Sequence, residues 1–93
     1  MFVAVLQATL SLYASQSLKE KRYVVNSVRD RLRQRFNVAL AETGEQDRWG
    51  RAELSIVTVA GSRVGCEKTM NAVTNFLDGD GRFELVEREV EFL

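Results

Sequence analysis

The chain has 93 residues, 45% of them hydrophobic and 28% charged, with 13 Lys and Arg balanced by 13 Asp and Glu. These totals describe one small globular domain with a modest core, and no apolar run approaches the roughly 18 residues that suggest a membrane span. The absence of His excludes His-based triads and His metal sites, while the single Cys excludes an intrachain disulfide framework and suits a reducing cytosol.

The N-terminal MFVAVLQATLSLY reads as a strand, because it has neither the basic n-region nor the small-residue cleavage site of a signal peptide. Over Phe2–Tyr13, apolar residues recur at Phe2, Ala4, Leu6, Ala8, Leu10 and Leu12, with Gln7, Thr9 and Ser11 on the other face. Ser15-Gln16-Ser17 breaks that alternation. Ser17 with Glu20 fits a capping box, in which each side chain reaches the other residue's free backbone N–H.

A helix is expected from Leu18 to Arg35, with Leu18, Val25, Val28 and Leu32 on one face at about 100° per residue. Residues 36–42 return to alternation, with Phe36, Val38 and Leu40 inward, and Thr43–Gly50 forms a polar, Gly-bracketed loop. The third strand is Arg51–Gly61, with Ala52, Leu54, Ile56 and Ala60 on one face. Val57 and Val59 lie on the other, so this strand is expected to be covered on both sides for part of its length. Ser62 caps a second helix over Arg63–Asp78, whose apolar face is Cys66, Met70, Val73 and Leu77, and Gly79 and Gly81 stop it. Arg82–Leu93 is the fourth strand. Its alternation shifts phase near Leu85-Val86, which signals a bulge or a change in cover.

The element order is β-α-β-β-α-β without a linker or repeat, which predicts one α+β domain over residues 1–93. The fold class is a ferredoxin-like sandwich: a four-stranded antiparallel sheet with two helices on one face, the first and third strands central and the second and fourth at the edges.

The strings SLKEKR, VV.S...RLR.RFNVA.AE and QD.W.RA.L, with E.EFL at the C-terminal end, give the chain a family likeness over essentially its whole length. It resembles the YlxP-like family of small bacterial proteins, whose domain is of unknown function. The resemblance implies a ferredoxin-like domain in the bacterial cytoplasm, often encoded near translation and ribosome-maturation factors. It brings no catalytic residues to carry over, and the fold supplies none by itself.

Candidate chemistry is sparse. Cys66 has no His partner and shares a face with Met70 and Val73, so it reads as a buried thiol. Glu87, Glu89 and Glu91 alternate along one strand face. They could hold a hard cation, but a solvated row that discourages edge pairing is the plainer reading. GSRVGCEK (Gly61–Lys68) departs from the Walker spacing, leaving at most an anion site at the helix start with Ser62 and Arg63. No catalytic residue, metal site or cofactor is expected.

The charge is unevenly spread. Residues 17–35 carry seven cations and two acids, a local +5, and residues 78–93 carry −4. With Val25 at the centre of the buried face, Arg29, Arg22 and Arg33 lie about 40°, 60° and 80° to one side, and Asn26 and Lys19 extend the same flank. Lys19, Arg22, Asn26, Arg29 and Arg33 make one stripe rising about 21 Å, with Lys21 and Arg35 assigned to the opposite flank. Such a stripe could follow a phosphate backbone, or be a solvated surface whose arginines pair with the acidic fourth strand.

Trp49, on the loop between the second and third strands, could contact a base or fold back over the core end. The open face of the central strands carries no aromatics, so RNA binding of the RNA-recognition-motif type is not expected. These readings favour a non-enzymatic binding module that meets structured RNA or a ribosomal particle through Lys19, Arg22, Arg29, Arg33 and Trp49. The alternative is a protein-interaction or homo-oligomerisation domain using the Val57/Val59 patch or a sheet edge.

Overall fold

The computed structural model describes residues 1–93 as β1 (Phe2–Leu12), α1 (Leu18–Arg35), β2 (Ala39–Gly44), β3 (Arg51–Ala60), α2 (Arg63–Asp78) and β4 (Phe83–Phe92). The strands form one antiparallel sheet in the order β2-β3-β1-β4, so the fold is the ferredoxin-like α+β sandwich, with β1 and β3 central. Both helices pack on one sheet face: α1 lies against β2 and β3, and α2 against β1, β3 and β4.

Register follows the hydrophobic alternation. Ala4, Leu6, Ala8 and Leu10 of β1 stand opposite Thr58, Ile56, Leu54 and Ala52 of β3, and all eight are buried. A one-residue slip would turn every one of them outward. Thr58 is the polar member of this layer, and its hydroxyl donates to the Asn37 carbonyl at 2.7 Å. The helices contribute Val25, Val28, Leu32, Cys66, Met70, Val73 and Leu77 to the same core. Cys66 is buried as expected, with its thiol 3.4 Å from the Phe2 carbonyl oxygen.

Local signals set the element ends. The Ser17 hydroxyl accepts from the Glu20 N–H at 3.1 Å, which starts α1 at Leu18. The return half of the capping box differs from expectation, because the Glu20 carboxylate accepts from the Gln16 N–H at 2.7 Å, one residue earlier than Ser17. Ser62 caps α2 by accepting from the Gly65 N–H at 3.1 Å. The ladder of β2 begins three residues after Phe36, because Phe36 is the C-cap of α1 and its N–H still bonds the Leu32 carbonyl. Phe36, Val38 and Leu40 nonetheless turn inward against the core. The phase shift in β4 is a bulge: Thr9 pairs with Glu87 and Leu10 with Leu85, leaving Val86 unpaired.

One expectation is overturned. Nothing covers the second face of β3, and Val59 is 50% exposed there. The valines instead shield one another across strands, as Val5 faces Val57 and Val3 faces Val59.

Candidate functional site

Lys19, Arg22, Asn26 and Arg33 are exposed and Arg29 is half-buried, as their angular positions on α1 require. Arg29 donates to the Asn26 side-chain oxygen at 2.7 Å, which joins two neighbours of the stripe. None of Lys19, Arg22, Arg29 or Arg33 takes part in an ion pair. The pairs formed are Lys21–Glu42, Arg48–Glu45, Arg63–Glu67, Arg82–Asp80 and Arg88–Asp78.

The acidic strand does not neutralise the stripe. Glu87, Glu89 and Glu91 stand opposite Thr9, Gln7 and Val5, on the sheet face away from both helices. The one ion pair between β4 and a helix is that of Arg88, on the covered side of β4, with Asp78 of α2 at 3.0 Å. The basic helix and the acidic row are thus separated by the thickness of the sheet.

Lys21 is a correction. It does not lie on an outer flank but is only 1% exposed. Its ammonium donates to the carbonyls of Glu45, Gln46 and Arg51 at 2.8, 3.2 and 3.2 Å and pairs with the Glu42 carboxylate at 2.8 Å. The angular rule already puts Lys21 about 40° from Val25, between Leu32 and Val28 and inside the buried arc. A buried ammonium is tolerated only when fully paired, and the loop after β2 together with the first residue of β3 supplies the carbonyls. Arg35 is also occupied, with its guanidinium 5.1 Å from the centre of the Phe76 ring and 5.8 Å from that of Phe36.

Lys21 ties the first turn of α1 to the loop that carries Trp49. The Leu12 N–H bonds the Gly50 carbonyl at 2.9 Å, which fastens the same loop to the end of β1. On this braced loop Trp49 is 49% exposed, so it does not serve as a lid over the core. It borders a small depression with Ser11, Arg48 and Arg51. At the start of α2, Arg63 is engaged by Glu67 at 3.2 Å and lies 4.0 Å from the centre of the Phe92 ring.

The sequence reading missed two tyrosines. Tyr13 and Tyr23 are 68% and 74% exposed and line a cleft of about 420 Å³ with Leu12, Val24, Glu20 and Arg82. Arg82 donates from Nε and Nη2 to the two Asp80 carboxylate oxygens at 2.6 and 2.7 Å. Hydrogen bonding from Arg82 holds the Asp80 carboxyl below its ordinary value, and Asp80 in turn raises the Arg82 guanidinium. A signal for Tyr23 existed, since it sits about 160° from Val25 on the outward side of the helix.

Comparison with known proteins gives a consistent picture. The family model described as "Protein of unknown function (DUF503)" matches residues 3–90. The uncharacterized protein YlxP of Bacillus subtilis (strain 168) is 39% identical over 79 residues, covering 85% of this chain and 83% of that protein. The family match spans β1 to β4 and the relative covers most of the same length, so the chain belongs to the DUF503 family, the YlxP-like proteins of unknown function.

Proposed function

We propose that this protein is a non-enzymatic cytoplasmic binding module that associates with structured RNA or a ribosomal particle through the basic flank of α1. The observation that supports this reading most is the set of Lys19, Arg22, Arg29 and Arg33 on one side of one helix with no carboxylate partner. Their spread over about 21 Å of the helix matches a series of backbone phosphates rather than a single anion. Trp49 would add an edge contact from the loop that Lys21 braces.

Cosedimentation with ribosomal subunits across a salt series tests the reading. Binding should weaken with salt at a log–log slope of roughly −3 for about four phosphate contacts. Charge reversal of Arg22, Arg29 and Arg33 together should abolish it. Association that survives the triple reversal removes the stripe as the site.

A second reading rests on the uncovered valines. Val3, Val5, Val57 and Val59 form an apolar patch on the open sheet face that a second copy could cover. Light scattering decides it: a mass that rises with concentration and returns to that of one chain on Val59→Glu supports self-association. A monomer at high concentration ends it.

A further inference from the structure

Tyr13 and Tyr23 are the most exposed aromatic side chains of the chain, at 68% and 74%, above Trp49 and Phe2, while Phe36, Phe76, Phe83 and Phe92 are buried or half-buried. The tyrosines come from separate parts of the chain, Tyr13 from the residue just after β1 and Tyr23 from the second turn of α1. They meet at one cleft. Leu12 is buried and Val24 half-buried, so these two make the floor, and the exposed phenols stand as walls.

The rim of the cleft is charged and held in place. Arg82 is fixed by both Asp80 oxygens, and its backbone N–H also donates to Asp80 at 3.2 Å, leaving Nη1 without an acceptor. Glu20 is held by the Gln16 N–H. Gly81, between Asp80 and Arg82, has a φ of 87°, where a side chain would be strained. The cleft therefore offers two aromatic side chains, one oriented cation and one oriented carboxylate.

We propose that this cleft takes one unpaired base of an RNA that carries an exocyclic amino group, such as a purine. The proposal rests on the RNA reading above and names what part of the RNA the second site would hold. A base stacks on a phenol face whatever its identity. Its edge presents both acceptors and donors, so Arg82 can donate to a ring nitrogen or carbonyl while Glu20 accepts from an exocyclic amino group. An apolar side chain of a protein partner would fill the floor but would use neither the remaining Arg82 Nη1 donor nor the second Glu20 oxygen. Uracil offers Glu20 only its ring N3–H, flanked by two carbonyl oxygens that repel a carboxylate, so it matches the site less well than a base with an exocyclic amino group. Glu20 and Tyr23 share the first turns of α1 with Lys19 and Arg22, so one RNA could run along the stripe and turn an unpaired nucleotide into the cleft.

The test uses three fluorescein-labelled RNAs: a purine-only heptamer, an oligouridine heptamer and a fully paired hairpin. Binding is read by anisotropy for the wild type, Tyr13→Ala, Tyr23→Ala and Arg29→Glu/Arg33→Glu. Both tyrosines are exposed, and an unchanged urea midpoint verifies that the variants fold. Tyr23→Ala should weaken the purine heptamer roughly tenfold and leave the hairpin within about twofold. The oligouridine should bind more weakly than the purine strand.

Purine binding unchanged in both tyrosine variants, or oligouridine bound as tightly, overturns the proposal. If the hairpin then still depends on Arg29 and Arg33, the helix-flank reading stands without the cleft. If instead only the heptamer binds, through Tyr23, the cleft stands and the flank falls. Tyrosine ring shifts produced by N-acetyl-phenylalaninamide but not by guanosine 5′-monophosphate in NMR titrations would assign the cleft to a protein partner and also overturn it.

Discussion

The two sides of α1 carry the same kinds of residue under different conditions. On one side Lys19, Arg22, Arg29 and Arg33 meet no carboxylate. On the other side Lys21 is enclosed by three carbonyls and Glu42, while the exposed Arg35 lies over Phe76 and the exposed Arg31 is close enough to Asp80 to help lower its pKa. A cation in the covered region is part of the fold and must be paired, because the alternative is an uncompensated charge away from water. A cation on the open flank is free to be used by something else. Local charge density therefore says little about role until the facing element is known.

Lys21 against Lys19 is the sharpest way to break this comparison. Lys21→Met keeps the apolar stem but removes the partner of Glu42 and of the Gln46 and Arg51 carbonyls, and should lose about 3 kcal/mol in urea unfolding. Lys19→Met should stay within about 0.5 kcal/mol. Equal effects would erase the distinction. Release of the loop in Lys21→Met should also change Trp49 fluorescence, and Glu42→Gln in that background should recover part of the loss.

Asp80 gives the next effect. Asp80→Asn should lose about 1 kcal/mol at neutral pH, a charged hydrogen bond discounted for partial solvent exposure. The sign with pH follows from the direction of the shift. Because the folded carboxyl lies below its ordinary value of 3.8, the folded state binds fewer protons than the unfolded chain there. The contribution is complete above that value and is lost as pH falls through the folded pKa. Acid titration of stability should thus be flatter below about pH 4 in Asp80→Asn than in the wild type.

Arg35→Ala should cost about 0.5–1 kcal/mol through the lost contact with the Phe36–Phe76 pair, whose rings meet edge to face at 6.1 Å. The smallest effect belongs to the open flank. Arg22→Glu, Arg29→Glu and Arg33→Glu should each move stability by about 0.5 kcal/mol or less while their combination removes binding to ribosomal particles. A large loss of stability in any of them would move that residue to the structural side.

Most of the architecture was legible because its signals are local. The alternation of β1 and β3, the Ser17 and Ser62 caps and the spacing of Cys66, Met70, Val73 and Leu77 each depend on a few neighbouring residues. The candidate site was legible only in part. The angular rule puts Arg29 and Lys21 at equal angles on either side of Val25, and only the facing loop, absent from the helix's own sequence, makes Lys21 buried. Tyr13 and Tyr23 went unnoticed because each alone is an ordinary solvent-facing tyrosine, and the cleft exists only where β1, α1 and the turn before β4 converge.

By itself the sequence determined the six elements, their order, the faces that turn inward and the unequal charge of the two ends, since periodicity and capping act within a few residues. Only the tertiary structure decided which charges answer one another. Lys21 finds its carbonyls 24 to 30 residues away, and Glu87–Glu91 lie beyond the sheet from the arginines they might have met. Pairing depends on separation in space and on burial, and neither can be read from composition or spacing along the chain.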